Sequence, residues 1–305
     1  MPQIVTGGEI PAIGGETTPT TEERQEQQFA GLHPQQQSQI QTPQIINNQV
    51  PVVVFVGPAS SGKSMILVRL AKYLRDNGYT VETDPTFLNT DQYAQDCEEF
   101  NNKLGTTSAL GGTVEFLLVS VKDKTGTVVA KLLEAPGEDF YSVSWPEKNK
   151  VVKPYLSTIM TSRNRKTYVV LLDLDSEVSF RRDQYHRDSY QQRFLKDFYP
   201  NINKNRDRIV LLYNKIDVTS FGNINGCDNP KGARDDAKTY YKQLFSSMKV
   251  SSWGGLFSSD NFVFKTFCTG MFSTQFDNFG SEYKTYNMAD DVYPKELWKE
   301  ITRKF

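Results

Sequence analysis

The sequence predicts an α/β fold in which helices cover both faces of a mainly parallel sheet. From residue 50 onward, short runs rich in Val, Ile, Leu and Phe alternate with longer amphipathic segments, and this alternation is typical of βα units. Residues 114–134 differ, because two apolar runs are joined there by a short turn at Gly126. They predict a hairpin that places one antiparallel strand beside the parallel ones.

The first half of the folded region begins with a strand over 51–56, where PVVVFV is apolar throughout. A helix follows the next, glycine-containing loop, because apolar residues recur there at helical spacing, and it ends at Asn77-Gly78. The segment YTVET at 79–83 predicts a short extra strand. Residues 91–105 predict an inserted helix before the hairpin.

The second half repeats the alternation of strands and helices. The apolar runs TYVVLLD, RIVLLYN and FVFKTFC predict further strands at 167–173, 208–214 and 262–268. Amphipathic segments predict the covering helices near 150–163, 178–198, 231–248 and 294–305.

The chain divides into an arm and one folded domain. Residues 1–49 are rich in Gln, Thr, Gly, Pro and Glu with few apolar residues, so they predict a disordered arm. Residues 50–305 predict a single domain with an insertion at about 79–105. The arm is either a tether or a docking segment, and a docking segment would use Phe29, Leu32, Ile45 and Ile46.

Net charge, apolar runs and cysteine spacing limit the kinds of binding partner and the cellular location that we expect. A formal net charge of −1 and a pI near 6.2 give no general attraction to polyanions, so we expect no nucleic-acid binding. The sequence has no run of 18 apolar residues and no leader-like start, which predicts a cytoplasmic protein without a transmembrane segment. Cys97, Cys227 and Cys268 form no CxxC pair, so neither a zinc site nor a disulfide framework is expected.

The segment GPASSGKS at 57–64 matches GxxxxGK[ST] between an expected strand and an expected helix. In that setting, backbone N–H groups and the helix N-terminus converge on phosphate oxygens. Gly57 and Gly62 allow the turn and the close approach, Lys63 would reach the β- and γ-phosphates and assist catalysis, and Ser64 would bind Mg²⁺. The other nucleotide contacts predicted here are Ala59, Ser60, Ser61 and Met65.

The segment YNKID at 213–217 lies at the end of an expected parallel strand, where open α/β sheets bind their ligands. Its Asn-Lys-x-Asp spacing lets the carboxylate of Asp217 accept hydrogen bonds from both N1–H and the 2-amino group of guanine. Adenine offers neither donor, so the segment predicts selection of guanine.

With these two motifs the chain resembles the Ras-like and translation-factor class of P-loop GTPases over about residues 50–305. The resemblance implies the three-layer P-loop NTPase fold, with GTP or GDP and Mg²⁺ as cofactors. It also implies that Asn214 bonds the base, that Lys215 lies over its plane and that Asp217 selects guanine. Two further base contacts are implied by the similarity of FCTG to the family's last base-binding element: Cys268 and Thr269.

The family's metal-and-switch motif, Asp-x-x-Gly after the second hairpin strand, corresponds here to EAPGED. Glu134 departs from the pattern, since its extra methylene moves the carboxylate that would bind a Mg²⁺-bound water. The resemblance implies that the N–H of Gly137 reaches the γ-phosphate and that Glu138 occupies the place of a water-orienting glutamine. An alternative acidic site is Asp173, at the end of a strand that reads like the Walker B strand of an ATPase.

The threonine that closes over Mg²⁺ in such proteins corresponds best to Thr113, with Thr106 and Thr107 as alternatives. The sequence therefore predicts a guanine-nucleotide switch that hydrolyses GTP and acts through a protein effector or regulator. Three alternatives remain at this point: a GTP-binding scaffold that has lost hydrolysis, an ATPase or kinase that uses Asp173, and an adaptor that acts mainly through the arm.

Overall fold

The computed structural model describes residues 43–45, 47, 49–104, 116–142, 151–172, 184–252, 257–276 and 282–303. These residues belong to one compact unit, Thr42–Phe305. At its start, the backbone N–H of Gln44 donates to the carbonyl of Phe87 at 2.8 Å, and Ile45 packs against the core. Most of the predicted arm over 1–49, with Phe29, Leu32 and Ile46, lies outside the described residues, so that prediction stays untested.

A seven-stranded sheet lies at the centre of the domain. Its strands are β1 (Val52–Val56), β2 (Thr80–Thr83), β3 (Leu117–Lys122), β4 (Val128–Glu134), β5 (Lys166–Leu172), β6 (Arg208–Tyr213) and β11 (Val263–Thr266). Their order across the sheet is β11-β6-β5-β1-β4-β3-β2. The strand that sequence predicted at 79–83 is thus the edge strand β2, next to the hairpin.

Strand directions confirm the predicted fold class. The pairs β1–β4, β1–β5, β5–β6 and β6–β11 are parallel, whereas β3 runs antiparallel to both of its neighbours. The turn between β3 and β4 contains Gly126 at φ 82°, a left-handed conformation that glycine adopts at little cost. The sheet is mainly parallel with one antiparallel hairpin strand, and helices lie on both sides of it.

The helices occur where the amphipathic segments predicted them, with shifted ends. They are α1 (Lys63–Asp76), α2 (Asp91–Leu104), α3 (Pro154–Thr161), α4 (Gln184–Arg193), α5 (Pro230–Tyr240), α6 (Lys242–Ser247) and α7 (Val292–Thr302). Helix α4 continues as a π-helical turn over Phe194–Phe198. Among the described helices, none is both long and apolar enough to cross a bilayer.

Two features differ from the sequence-based expectations. The single helix expected over 231–248 is two helices, α5 and α6, which meet at Tyr241. Three hairpins were not predicted: β7 (Gly222–Asn223) with β8 (Gly226–Cys227), β9 (Lys249–Ser252) with β10 (Phe257–Asp260), and β12 (Gly270–Phe276) with β13 (Glu282–Met288). Their sequences mix polar and apolar residues because each forms a two-stranded ribbon outside the buried sheet.

The parallel strands bring the motif residues to one edge of the sheet. β1 is buried along its whole length, and β6 is buried beyond its first residue, so both occupy fixed positions in the core. Since their carboxyl ends point the same way, Gly57 after β1 and Asn214 after β6 emerge at that edge. Glu134, the last residue of β4, ends there as well.

Candidate nucleotide-binding site

The segment 57–64 is a tight loop that leads from β1 into α1. Ser60 and Gly62 both adopt left-handed conformations, with φ 61° and φ 94°. The hydroxyl of Ser61 donates to the carbonyl of Pro58 at 2.7 Å, and a Cβ on Gly57 would lie 2.6 Å from that hydroxyl oxygen. Left-handed residues that lead into a helix N-terminus give the concave array of N–H groups that binds anions.

Lys63, the first residue of α1, folds its side chain back over the loop. Its Nζ donates to the carbonyl oxygens of Gly57 at 3.0 Å and Pro58 at 3.1 Å. Burial lowers the pKa of Lys63 to about 8, although nearby carboxylates partly oppose this shift. These carboxylates belong to Glu134, Glu138 and Asp139. The amino group is therefore held where water screens it little, so an entering phosphate would attract its charged form strongly.

Asn214 joins the NKID segment to the loop over 57–64. Its side chain is buried, and Nδ2 donates to the carbonyl of Ser61 at 3.0 Å. Gly62 is required at this contact, since a Cβ there would lie 2.6 Å from that same nitrogen. Lys215 adopts a left-handed conformation at φ 55°, and its Nζ lies 3.5 Å from the carbonyl oxygen of Ser60. The NKID segment and the GPASSGKS loop are therefore in direct contact through these two side chains.

Asp217 is tied to the loop that contains FCTG. The backbone N–H of Ile216 donates to the carbonyl of Phe267 at 3.1 Å, and the N–H of Phe267 donates to the carbonyl of Tyr213 at 2.8 Å. The thiol of Cys268 lies 3.1 Å from Oδ1 of Asp217. Burial, with the hydrogen bond and charge of Asp217, raises the pKa of Cys268 to about 12, so the thiol stays protonated and donates to the carboxylate.

Ser64 and Glu134 supply the oxygen atoms that a magnesium ion would need. The hydroxyl of Ser64 donates directly to Oε1 of Glu134, whose side chain is buried at the end of β4. Despite its extra methylene, Glu134 therefore still reaches Ser64. Within the described ranges, no group of three or more His, Cys, Asp or Glu residues could hold a metal alone. A pair of oxygen donors fits Mg²⁺, which is usually bound by few protein ligands together with phosphates and water.

The segment Gly137–Asp139 forms a 3₁₀ turn packed against the phosphate loop. A Cβ on Gly137 would lie 2.1 Å from the backbone nitrogen of Ala59, so this contact excludes every other residue type. The carbonyl of Gly137 closes the turn by accepting from the N–H groups of Phe140 at 3.0 Å and Tyr141 at 2.9 Å. Glu138 lies half-buried within this turn.

The structure adds two residues that sequence reasoning missed. Asp139 accepts a hydrogen bond on Oδ2 from the hydroxyl of Tyr155 at 2.5 Å, and Tyr155 is buried in the first turn of α3. Asp139 could have been predicted from the sequence, since it is the last residue of the EAPGED segment. Nothing in the sequence singled out Tyr155, because the contact depends on how α3 packs.

Several predicted site residues stay untested in position or role. Met65 is half-buried in the first turn of α1, and the carbonyl of Thr269 accepts from the N–H of Ala289 at 3.3 Å. The residues proposed for closure over the metal and for the ATPase alternative lie outside the described residues: Thr113, Thr106, Thr107 and Asp173.

No family model matches this chain, and no curated protein matches it significantly. Among solved structures, it is similar to nucleolar GTP-binding protein 1 of Plasmodium falciparum, with 13% identity and a TM-score of 0.37 over 74% of this chain and 80% of the other. It is also similar to the Ski7 GTPase-like domain of S. cerevisiae, bound to GDP and inorganic phosphate, with 16% identity and a TM-score of 0.38 over 72% of this chain. The match covers 43% of that second chain.

Proposed function

We propose that this protein binds GTP and GDP and hydrolyses GTP with the help of Mg²⁺. The observation that supports this most is the hydrogen bond from Asn214 to the carbonyl of Ser61, because it joins a base-reading segment to a phosphate-binding loop. A chance match to either motif would not require this contact. The Asp217 carboxylate, which lies in the same NKID segment and is hydrogen-bonded by Cys268, favours guanine as the base.

The phosphate side of the proposed site has two kinds of donor. Backbone N–H groups of the loop would bind the α- and β-phosphates, and Lys63 would bind the β- and γ-phosphates. Lys63 now bonds two loop carbonyls, so binding would exchange these neutral acceptors for charged phosphate oxygens. A charge-assisted hydrogen bond is the stronger of the two, which favours that exchange.

Hydrolysis would use groups that surround Lys63. Ser64 and Glu134 would hold Mg²⁺, which supplies positive charge that stabilises the phosphoryl transition state. Gly137 lies against the phosphate loop, where its N–H would be available to a γ-phosphate, and Glu138 would accept a hydrogen bond from the attacking water. We also propose, as the sequence predicts, that the protein is cytoplasmic and acts through a protein effector or regulator.

Hydrolysis is tested by single-turnover assays on the purified protein loaded with GTP. We expect Mg²⁺-dependent conversion to GDP, a rate lowered at least tenfold in Glu138→Ala, and a modest change in Glu134→Asp, because either carboxylate can hold the metal water. Lys63→Ala, which removes a phosphate donor, is the binding-deficient control. If the wild type is no faster than buffer while Glu134→Asp restores turnover, the protein is a GTP-binding scaffold rather than a GTPase.

A further inference from the structure

Tyr155 is hydrogen-bonded to the Gly137–Asp139 turn at Asp139, the last residue of that turn. Its ring stacks on Phe116, with centroids 4.0 Å apart and planes inclined by 16°. Its hydroxyl donates to Oδ2 of Asp139 at 2.5 Å. The ring is thus fixed by stacking and by its place in α3, while the hydroxyl reaches the turn. Burial and the carboxylates of Asp139 and Glu134 hold the pKa of Tyr155 well above its usual value, so the hydroxyl remains a donor.

The turn is therefore held at both of its ends. Gly137 is fixed against the backbone of Ala59, and Asp139 is fixed by Tyr155. Glu138 lies between these two contacts, so its backbone has little freedom to move away from the phosphate loop. The carbonyl of Phe140, just after the turn, also accepts a hydrogen bond from Nε of Arg193 at 3.4 Å.

We propose that Tyr155 is a positioning residue for the γ-phosphate side of the site. Through Asp139 it holds the turn that presents Gly137 and Glu138 to the third phosphate of a nucleoside triphosphate. This inference rests on the proposed function. GDP has no γ-phosphate, so loss of the Tyr155 contact should weaken binding of a GTP analogue more than binding of GDP.

The test compares dissociation constants for GDP and for a non-hydrolysable GTP analogue, both with Mg²⁺. We expect Tyr155→Phe to reduce the preference for the analogue over GDP by roughly twofold to tenfold, the typical net value of one hydrogen bond, because the turn loses one of its contacts. GDP affinity should stay within about twofold of the wild type, since the phosphate loop and the base segment are unchanged. Asp139→Ala should also reduce the preference, but by less than Tyr155→Phe, because it removes a negative charge near Lys63 as well.

The double variant separates positioning from general damage. If Tyr155 acts through Asp139, combining both changes should lower the preference no further than either change alone. Tyr93→Phe is the matched control, since it removes another buried tyrosine hydroxyl, which donates to the carbonyl of Asp84 at 2.9 Å, and it should leave the preference unaltered.

The outcomes distinguish this inference from the proposed function. A wild type that binds neither nucleotide overturns the proposed function itself. A wild type that binds both, with a Tyr155→Phe variant of unchanged preference, overturns only the positioning role. Additive losses in the double variant, or an equal loss in Tyr93→Phe, would also contradict that role.

Discussion

Cys268 gives this site an unusual means of fixing Asp217. A thiol is a weak donor in general, but here it is fully buried and its acceptor is a carboxylate 3.1 Å away. In the proposed function, the carboxylate of Asp217 would bind guanine only when its oxygens face the base edge. The role expected for Cys268 is therefore to orient Asp217 rather than to react.

Removing the thiol should weaken guanine binding, and a hydroxyl should restore it. We expect Cys268→Ala to raise the dissociation constant for GDP by roughly twofold to tenfold, the value of about 0.5–1.5 kcal/mol for one hydrogen bond. Cys268→Ser keeps a donor and should bind within about twofold of the wild type. Titration with a fluorescent GDP derivative measures all three proteins.

Cys97→Ala, which removes a buried thiol from α2, is the control for general effects of cysteine removal. GDP affinity that is unchanged in Cys268→Ala would show that the thiol does not orient Asp217. A Cys268→Ser variant that fails to restore GDP affinity would also contradict this role of the thiol.

At the scale of elements, the edge strand β2 is fastened to the sheet by a buried ion pair. Asp84, just after β2, bonds Nζ of Lys131 in β4 at 2.5 Å, and both side chains are at most 9% exposed. The backbone N–H of Asp84 also donates to the carbonyl of Leu118 at 2.6 Å. Since β4 ends in Glu134, this pair connects the added strand to a strand that supplies the site.

Removing one partner of this ion pair should lower the free energy of unfolding more than replacing both partners. We expect Asp84→Ala to lower the free energy of unfolding by about 3–5 kcal/mol, because it leaves the Lys131 ammonium buried without its counter-ion. Asp84→Ala combined with Lys131→Met should recover part of that loss. Urea denaturation measures both. The exposed pair Lys72–Asp76 is the control, and Asp76→Ala should cost less than about 1 kcal/mol.

The same pair gives a pH dependence with a defined sign. Burial favours a raised pKa for Asp84, but the hydrogen bonds from Lys131 and Thr86 outweigh it and hold the pKa below its usual value. Such a carboxyl adds stability that is complete above its unfolded pKa of about 4 and is lost as the pH falls through the folded value. Stability of the wild type should therefore fall more steeply on acidification than that of Asp84→Asn. Parallel slopes would contradict this assignment.

Sequence predicted the strands of the central sheet, including the partly buried edge strands β2 and β11, and it missed the two-stranded ribbons outside that sheet. β1 and β5 are buried along their lengths, so continuous apolar runs marked them. In the part of the chain that the structure describes, β12 and β13 pair with each other and with no other strand, and their sequences contain no continuous apolar run. The break at Tyr241 also escaped prediction. The N–H groups of Gln243 and Leu244, just after it, donate to the side chain of Gln191 in α4, a contact between residues that are distant in sequence.

At the scale of the whole molecule, the sequence predicted the two motif segments at the ends of parallel strands, and the structure places both at one edge of the sheet. The loop over 57–64 and the NKID segment are each a contiguous motif that can be recognised in the sequence without tertiary contacts. The parallel sheet topology brings the two motifs together. Contacts between distant side chains were not predictable, since Tyr155 to Asp139 and Lys131 to Asp84 depend on side-chain packing across elements. Such contacts leave no periodic trace in a single sequence.

We propose that one site combines a phosphate loop with a carboxylate that selects guanine. Competition of a fluorescent GDP derivative by GTP, ATP and XTP, on the wild type and on Asp217→Asn, tests it most directly. GTP should displace the probe from the wild type, and ATP should not. Asp217→Asn should lose about 1.5–3 kcal/mol of guanine binding, roughly tenfold to 150-fold, because an amide donor would face a ring N–H. It should gain affinity for XTP, since xanthine presents a carbonyl in place of the 2-amino group. Competition by ATP equal to that by GTP, or base preference unaltered in Asp217→Asn, would contradict the account.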